Sequence, residues 1–483
     1  MGNKQGKKPS KPMQTYLDTV DINSVLERAT EAVEEGNSAM IDKEYRDAYI
    51  AYRFASALFQ LCIEFDRFPK KYKKKLRHIN LNLQFKLQDL QAEVEIYRDR
   101  LKRSSETGKK EHVTLSKKSL KLPRHVVKEL NNPNKDSDKM TEEAQAYERL
   151  LNNIEVCRPD LPMSKVIGQK DAIEELQEDL VDRYIRPDFF KESHSRAALL
   201  YGPPGNGKTT IATAIATLVA EASEGSMPFF KISIGNFTSK YVGQAEITLT
   251  AAFKLAQMNG PSIMFIDEVE EILASRSDKR KSGPGIVQCF LDLMSTYKDV
   301  FFIAATNFPW DMDEAALRRM FPTYIRMPTK QDRLQMLKDL FSDEDHFLLR
   351  KDFDAIADKT EGFSFSDLAQ MKIRVDKCVR KITKQEKFFK QTPHVEGCPV
   401  SWTPCMEYED GAVAKTYRSM VNRNHKDGLV HPTITWDVVH HVLTQITPTV
   451  SKETIENNDL FFQKGKSAVD EKLEAKEKAK KSK

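Results

Sequence analysis

The chain has 483 residues, of which 30% are charged and 40% are hydrophobic, and its formal net charge is only +5. This mild positive excess does not indicate a nucleic-acid-binding surface, and no apolar run approaches the roughly 18 residues that a membrane-spanning helix needs. The length suffices for about three domains. Six cysteines without a C-x-x-C pair indicate neither a zinc site nor a disulfide framework, so we expect free thiols in a cytoplasmic protein.

The N-terminal region begins with a basic, polar leader that lacks the apolar core of a signal peptide. Gly2 suggests N-myristoylation, but Gly6 stands where Ser or Thr is expected. Apolar residues at helical spacing then predict a three-helix bundle over residues 20–102, and a groove between two helices is a candidate site for a partner's amphipathic helix. The basic run at residues 70–77 is typical of a solvated face, and it also suits acidic tails or anionic lipid.

Residues 103–141 are rich in Lys, Ser and Asn and have no sustained apolar period, so we expect a flexible linker with a short helix near Val126. From residue 142 to residue 328, short apolar runs alternate with helical stretches. This alternation predicts an α/β domain with a mostly parallel sheet and helices on both faces. The predicted strands are at residues 197–201, 229–233, 263–267, 301–305 and 324–327.

A glycine-rich motif, GPPGNGKT, follows the first of these strands and has the pattern of a glycine, four free positions and Gly-Lys-Thr. The glycines let the backbone curl so that successive N–H groups point at phosphates. We expect Lys208 to reach the β- and γ-phosphates of ATP and Thr209 to bind Mg²⁺. The helical pattern from Thr210 onwards supports this interpretation, because the helix N-terminus would face the phosphates.

An acidic motif, IMFIDE, ends a second strand with Asp267 and Glu268. Asp267 is expected to hold Mg²⁺, and Glu268 is expected to act as the general base on the attacking water. Asn307 follows the next strand and is a candidate to position that water. Arg318 and Arg319 are either a solvated helix face or arginine fingers that reach the γ-phosphate bound to a neighbouring subunit.

In their order, GPPGNGKT, IMFIDE, AATN and LRRMF resemble the motifs of the AAA ATPases. The resemblance implies a first pore loop at SKYVGQAE, where Lys240, Tyr241 and Val242 would grip an extended polypeptide, and a second pore loop beginning at SRS. It also implies that the sequence VIG holds adenine and that TEGFSFSD approaches the nucleotide. The residues thereby assigned to nucleotide binding are Val166, Gly168, Gly202, Pro203, Pro204, Gly205, Asn206, Gly207, Lys208, Thr209, Thr210 and Gly362.

Other segments narrow the resemblance to the meiotic clade. The N-terminal helices resemble a microtubule-interacting and trafficking (MIT) domain, and SWTPCMEYEDGAVAKTY and TPTVS resemble the vacuolar protein sorting branch. That branch implies a small helical domain at residues 329–465 with a β insertion at about 390–430, followed here by a charged tail at 466–483. It implies a homo-hexamer that disassembles ESCRT-III polymers on endosomal membranes, binds their C-terminal helices through the MIT-like domain and takes an assembly-promoting cofactor at the β insertion.

The sequence departs from the family pattern at several positions. Met320 stands where a third arginine is usual, Pro322 replaces a charged residue, and Pro284 and Gly285 replace an arginine pair in the second pore loop. Two alternative functions therefore stay open. One is a microtubule-severing ATPase, which shares the MIT-plus-AAA plan and is supported by the basic linker. The other is a nucleotide-switched scaffold whose altered arginine finger has lost turnover.

Overall fold

A computed structural model describes most of the chain, in segments at residues 22–64, 70–107, 120–131, 140–182, 197–223, 227–232, 244–274, 284–342, 346–392, 400–405, 411–417, 427–429 and 432–465. The chain forms two compact units. The first combines residues 1–105, 333–361 and 368–447, and the second combines residues 106–332, 362–367 and 448–483. No helix in the described segments combines the length and apolar character that a bilayer crossing requires.

The first unit begins with three helices, α1 (Ile22–Ile41), α2 (Tyr45–Glu64) and α3 (Lys70–Thr107), so the predicted three-helix bundle is confirmed. Small residues bring α1 and α2 together, because a Cβ atom added to Gly36 would lie only 2.5 Å from the ring of Tyr52. The helix α3 continues past residue 102, which differs from the predicted start of the linker.

The second unit is built on a six-stranded sheet in the order β1-β3-β4-β5-β2-β6. Its strands are β1 (Ile154–Cys157), β2 (Ala197–Tyr201), β3 (Phe229–Ile232), β4 (Ser262–Ile266), β5 (Val300–Thr306) and β6 (Phe321–Tyr324). The edge strand β1 is antiparallel to β3, and the other pairs are parallel. The predicted, mostly parallel α/β fold is therefore confirmed, with β1 as an unpredicted addition.

Helices cover both faces of this sheet, which is why β2, β4 and β5 are buried along their whole length. Successive side chains of β2 enter different cores: Leu199 packs in one cluster and Leu200 in the other. The helices are α4 (Arg124–Leu130), α5 (Glu142–Asn153), α6 (Lys170–Leu176), α7 (Lys208–Ala222), α8 (Gln244–Met258), α9 (Pro284–Thr296) and α10 (Glu314–Leu317).

Part of the predicted linker belongs to this core. Val126 on α4 is fully buried in the same cluster as Leu199, and Leu120 and Leu122 pack against that cluster. The backbone N–H of Lys121 also donates to the side-chain oxygen of Asn259, 2.9 Å away. Together with Leu130, these apolar side chains pack residues 120–131 against the domain, but their irregular spacing gives no periodic signal in the sequence.

The last strand of the sheet differs from the predicted position, because β6 covers Phe321–Tyr324 rather than residues 324–327. Pro322 interrupts the apolar run, and a proline within such a run usually indicates that a strand does not continue there. However, β6 pairs only with β2 and lies at the sheet edge. A proline is tolerated there because its missing N–H removes no hydrogen bond from a second neighbour.

A small helical domain follows, with helices α11 (Lys330–Phe341), α12 (Arg350–Lys359), α13 (Phe365–Gln385) and α14 (Trp436–Leu443). These helices belong to the first unit except for residues 330–332 and 365–367, which belong to the second. The predicted β insertion is confirmed as a four-stranded sheet in the order β10-β8-β7-β9. Its strands are β7 (Phe388–Thr392), β8 (Val400–Pro404), β9 (Val413–Ala414) and β10 (Asp427–Leu429).

The N-terminal bundle packs on this small helical domain within the first unit. Leu349, which precedes α12, lies in the apolar core of the bundle. The rings of Phe54 and Phe347 stack with centroids 5.3 Å apart. The guanidinium of Arg28 donates to both carboxylate oxygens of the buried Asp352, at 3.1 and 3.2 Å. Apolar contacts and an ion pair from one guanidinium nitrogen of Arg28 to both oxygens of Asp352 thus join the bundle to this domain.

Candidate functional site

The loop between β2 and α7 depends on glycines with positive φ angles, a backbone conformation that other residues rarely adopt. The φ angles of Gly202, Gly205 and Gly207 are +148°, +79° and +85°. A Cβ atom at Gly202 would lie 2.1 Å from the carbonyl oxygen of Ile325, and one at Gly205 would lie 2.7 Å from Oγ of Ser364. No other residue fits these positions without displacing the neighbouring backbone or side chain, so the sequence requirement follows from the curled loop itself.

Lys208, the first residue of α7, folds its side chain back under this loop. Its Nζ donates to the carbonyl oxygens of Gly202 and Pro203, at 2.8 and 3.0 Å. The residue is only 7% exposed, and burial lowers the pKa of its amine to about 8, although Asp267 and Glu270 act in the opposite direction. A bound phosphate would favour the charged form, so this buried amine suits an anionic ligand.

The next residue of the loop motif meets the acidic motif. The hydroxyl of Thr209 donates to one oxygen of Asp267 at 2.9 Å, and the other oxygen of Asp267 accepts the backbone N–H of Glu268 at 3.0 Å. A hydroxyl and a carboxylate are oxygen ligands of the kind that Mg²⁺ takes alongside water and phosphate. The side chains therefore fit the ion that the sequence predicts.

A cavity of about 430 Å³ opens above these side chains. Both Glu268 and Asn307 line it together with the loop, so the structure brings the predicted base and the predicted water-positioning residue to one place. Phe365 and Ser366 at the start of α13 complete the lining, and the N–H of Ser366 donates to the carbonyl of Gly205 at 3.0 Å. The lining residues are Pro204, Gly205, Gly207, Lys208, Thr209, Thr210, Asp267, Glu268, Asn307, Phe365 and Ser366.

Several other residues assigned to nucleotide binding do not line the cavity. Gly168 has a φ of +68°, and a Cβ there would lie 2.6 Å from the carboxyl group of Asp332; Gly362 has a φ of +78° next to Pro448. Asn206 is buried and donates to the carbonyl oxygen of Pro203 at 3.4 Å. Val166 packs against the core face that contains Leu200.

The predicted arginine fingers do not contact the cavity of their own chain. The side chain of Arg318 is 77% exposed and forms an ion pair with Glu314 at 2.9 Å. Arg319 donates to the hydroxyl of Ser295 at 3.3 Å. The following Met320 is buried in the core, so an arginine there would place a charge among apolar side chains. Lys240, Tyr241 and Val242, and the second pore loop at residues 275–277, lie outside the described residues.

Glu270 is a residue of this site that the sequence reasoning missed. It lies in the turn after β4 and is 3% exposed, and its carboxylate favours the charged form of the buried Lys208 amine. Burial raises the pKa of its carboxyl group. The available signal was a third acid two positions after Glu268, in the sequence IDEVE.

A C-terminal helix at residues 452–465 packs against the same domain. The hydroxyl of Tyr324 donates to Asp459 at 2.6 Å, and the ring of Phe461 meets Tyr201 edge-on at 5.2 Å. Asn458 donates to the carbonyl oxygen of Asn307 at 3.5 Å, so the helix reaches the backbone beside the cavity.

Comparison with known proteins places these features in a family. Residues 198–329 match the ATPase family associated with various cellular activities (AAA), and residues 402–464 match the Vps4 C-terminal oligomerisation domain. Protein SUPPRESSOR OF K(+) TRANSPORT GROWTH DEFECT 1 of Arabidopsis thaliana is 32% identical over 317 residues, which are 63% of this chain and 70% of that protein. Vacuolar protein sorting-associated protein 4B of Mus musculus is 30% identical over 394 residues, 76% of this chain and 84% of that protein.

Among solved structures, the FIGL-1 AAA domain in complex with ADP superposes with a TM-score of 0.50 and 24% identity, covering 66% of this chain and 96% of that domain. At this identity the likeness concerns the fold.

Proposed function

The chain belongs to the AAA ATPases, in the group that carries a Vps4 C-terminal oligomerisation domain, and from this premise we propose that it disassembles ESCRT-III polymers. The observation that carries the proposal is the extent of the match: it includes 84% of a vacuolar protein sorting-associated protein. The family is one of ATP-hydrolysing enzymes, which argues against a scaffold without turnover.

In the proposed reaction each residue of the cavity has a separate role. Lys208 binds the β- and γ-phosphates, and Thr209 and Asp267 hold Mg²⁺, which neutralises charge on the phosphates when bound. Glu268 takes the proton from the attacking water, and Asn307 holds that water in place. The presence of both Glu268 and Asn307 on the cavity wall supports these two assignments.

Assembly into a homo-hexamer is the second element of the proposal. Arg318 and Arg319 are exposed, so a guanidinium of one subunit is free to reach the nucleotide of the next. Hydrolysis would then depend on ring formation. In such a ring, Lys240, Tyr241 and Val242 would grip the threaded polypeptide.

Recruitment is the third element. The N-terminal bundle would bind C-terminal helices of ESCRT-III subunits and bring the enzyme to endosomal membranes. An assembly-promoting cofactor would bind the four-stranded β insertion.

The test is release of subunits from preformed ESCRT-III filaments, followed by sedimentation. We expect the full-length protein to bind the filaments and to release soluble subunits when ATP is added. Glu268→Gln should bind without releasing them, whereas Glu221→Gln, an exposed change in the same domain, should behave as wild type. ATP turnover that leaves filaments intact would contradict the proposal, and turnover stimulated by microtubules instead would favour the severing alternative.

A further inference from the structure

Charge is segregated between the helices of the N-terminal bundle. On α1, Glu31 forms an ion pair with Lys351, and Glu35 accepts the backbone N–H of Arg350 at 2.6 Å. These acids face the small helical domain. The helix α3 has the opposite character, because its residues 70–88 contain six lysines and one arginine but no aspartate or glutamate. A long stretch of α3 therefore carries positive charge that its own sequence does not balance.

The basic side chains at the start of α3 are available to an anionic partner. Lys70, Lys71, Lys74, Lys75 and Arg77 are exposed, and none of them forms an ion pair within the described residues. Their arrangement weakens the helix itself. Lysines four positions apart repel each other, and cations in the first turns of a helix oppose its dipole. The stability of the fold thus gives no reason for this cluster.

Two large apolar side chains follow on the outward side of the same helix. Leu81 and Phe85 are one turn apart, and 49% and 58% of their surfaces are exposed. Helical spacing places them opposite Leu83 and Leu90, which are buried in the bundle core. Lys74 lies seven positions before Leu81 and so on the same side. Basic and apolar side chains therefore share one exposed face.

We propose that the N-terminal half of α3 lies on an anionic membrane surface. The contacting residues, which we call the outer face, are Lys70, Lys71, Lys74, Arg77, Leu81 and Phe85. A helix that presents Lys, Leu and Phe together binds in the plane of a membrane, with its cations at the lipid phosphates and its apolar side chains between the headgroups.

The shape of the outer face favours a membrane over a peptide. It belongs to a single helix and is convex, whereas a partner helix needs a groove between two helices. A flat, deformable headgroup layer covers a convex face. The inference goes beyond the proposed function, because it concerns lipid contact and does not depend on ATP hydrolysis or on filament binding.

The test is flotation of the full-length protein with vesicles of phosphatidylcholine alone or with about 30% phosphatidylserine, at about 0.1 M and about 0.5 M salt. We expect the protein to float with the anionic vesicles at low salt, to bind them more weakly at high salt, and to stay unbound with neutral vesicles. Each basic side chain near such a surface typically strengthens binding about fivefold. Lys74→Glu/Arg77→Glu should therefore weaken binding about 25-fold or more.

Two control variants match the changes in the outer face. Arg374→Glu/Lys377→Glu reverses two exposed charges with the same spacing on α13 and should keep wild-type binding. Phe85→Ser should weaken binding about tenfold, since a large apolar side chain no longer enters the headgroup layer. Leu460→Ser changes a side chain of similar exposure, 52%, and should have no effect. Circular dichroism establishes that each variant is folded.

Equal binding to neutral vesicles, equal losses in the outer-face and control variants, or unchanged binding by Phe85→Ser would overturn the proposal. If Phe85→Ser keeps its vesicle binding but loses binding to membrane-free ESCRT-III filaments, the outer face is a protein-binding site instead. Failure of the proposed function looks different, because a protein that floats with anionic vesicles but leaves filaments intact would refute the disassembly role alone.

Discussion

Replacing Lys208 by methionine should change how the stability of the protein depends on pH. In the folded protein the pKa of this amine is lowered from 10.5 to about 8 because the side chain is buried. Between these pH values the unfolded chain binds more protons than the folded one, so the free energy of unfolding rises with pH. Below pH 8 the buried charge costs about 3 kcal/mol, and most of this cost should be relieved by pH 10.

The assay is urea unfolding of the nucleotide-free protein at pH 7 and pH 10, followed by circular dichroism. The methionine of Lys208→Met has a similar length and no titrating proton. All other titratable groups are present in both proteins, so their contributions cancel when the two unfolding free energies are subtracted. The lost hydrogen bonds to the carbonyls of Gly202 and Pro203 lower the stability of the variant equally at both pH values. The difference in unfolding free energy between wild type and variant should therefore shift by about 2 to 3 kcal/mol in favour of the wild type at pH 10.

A difference that stays constant between pH 7 and pH 10 would refute the reasoning, since it would mean that the amine titrates normally in the folded state. A shift towards the variant would mean that nearby carboxylates, rather than burial, dominate its pKa.

Three further predictions concern the base, the loop and the bundle. Glu268→Gln should slow phosphate release about 100-fold or more without weakening ATP binding measured by calorimetry, and unchanged turnover would remove Glu268 from the role of base. Gly202→Ala should lower the unfolding free energy by about 3 kcal/mol, because the new Cβ would lie 2.1 Å from the Ile325 carbonyl oxygen; a wild-type melting temperature would contradict the loop geometry. Arg28→Ala should cost about 2 kcal/mol by leaving the carboxylate of Asp352 without its cation, and purely additive losses in the double Arg28→Ala/Asp352→Ala variant would exclude the pair.

Local patterns were enough to predict the nucleotide loop and the acidic motif. The glycines, Lys208 and Thr209 lie within one short stretch, so their spacing in the sequence predicts how they are arranged in the loop. Strand ends in a parallel sheet meet at one edge, which is why Asp267 and Asn307 could be expected near each other although they are far apart in the chain.

Features that depend on long-range packing could not be predicted in the same way. The antiparallel strand β1 has only four residues, too few for a periodic signal, and residues 120–131 bury isolated apolar side chains. The sequence predicts Glu270 to be an acid on a solvated turn. Its burial depends on β5, which lies about thirty positions further along the chain and cannot be inferred from the local sequence. Pro322 concealed the start of β6, because sequence alone does not say which strand is at an edge.

The packing of the N-terminal bundle on the small helical domain has a consequence for how the bundle would bind a partner. A module on a loose tether captures its ligand by sampling a volume, and the effective concentration then depends on tether length. Here the contacts of Arg28, Phe54 and Leu349 remove that freedom. If the bundle binds a polymer as proposed, these contacts would fix the orientation of that polymer relative to the small helical domain.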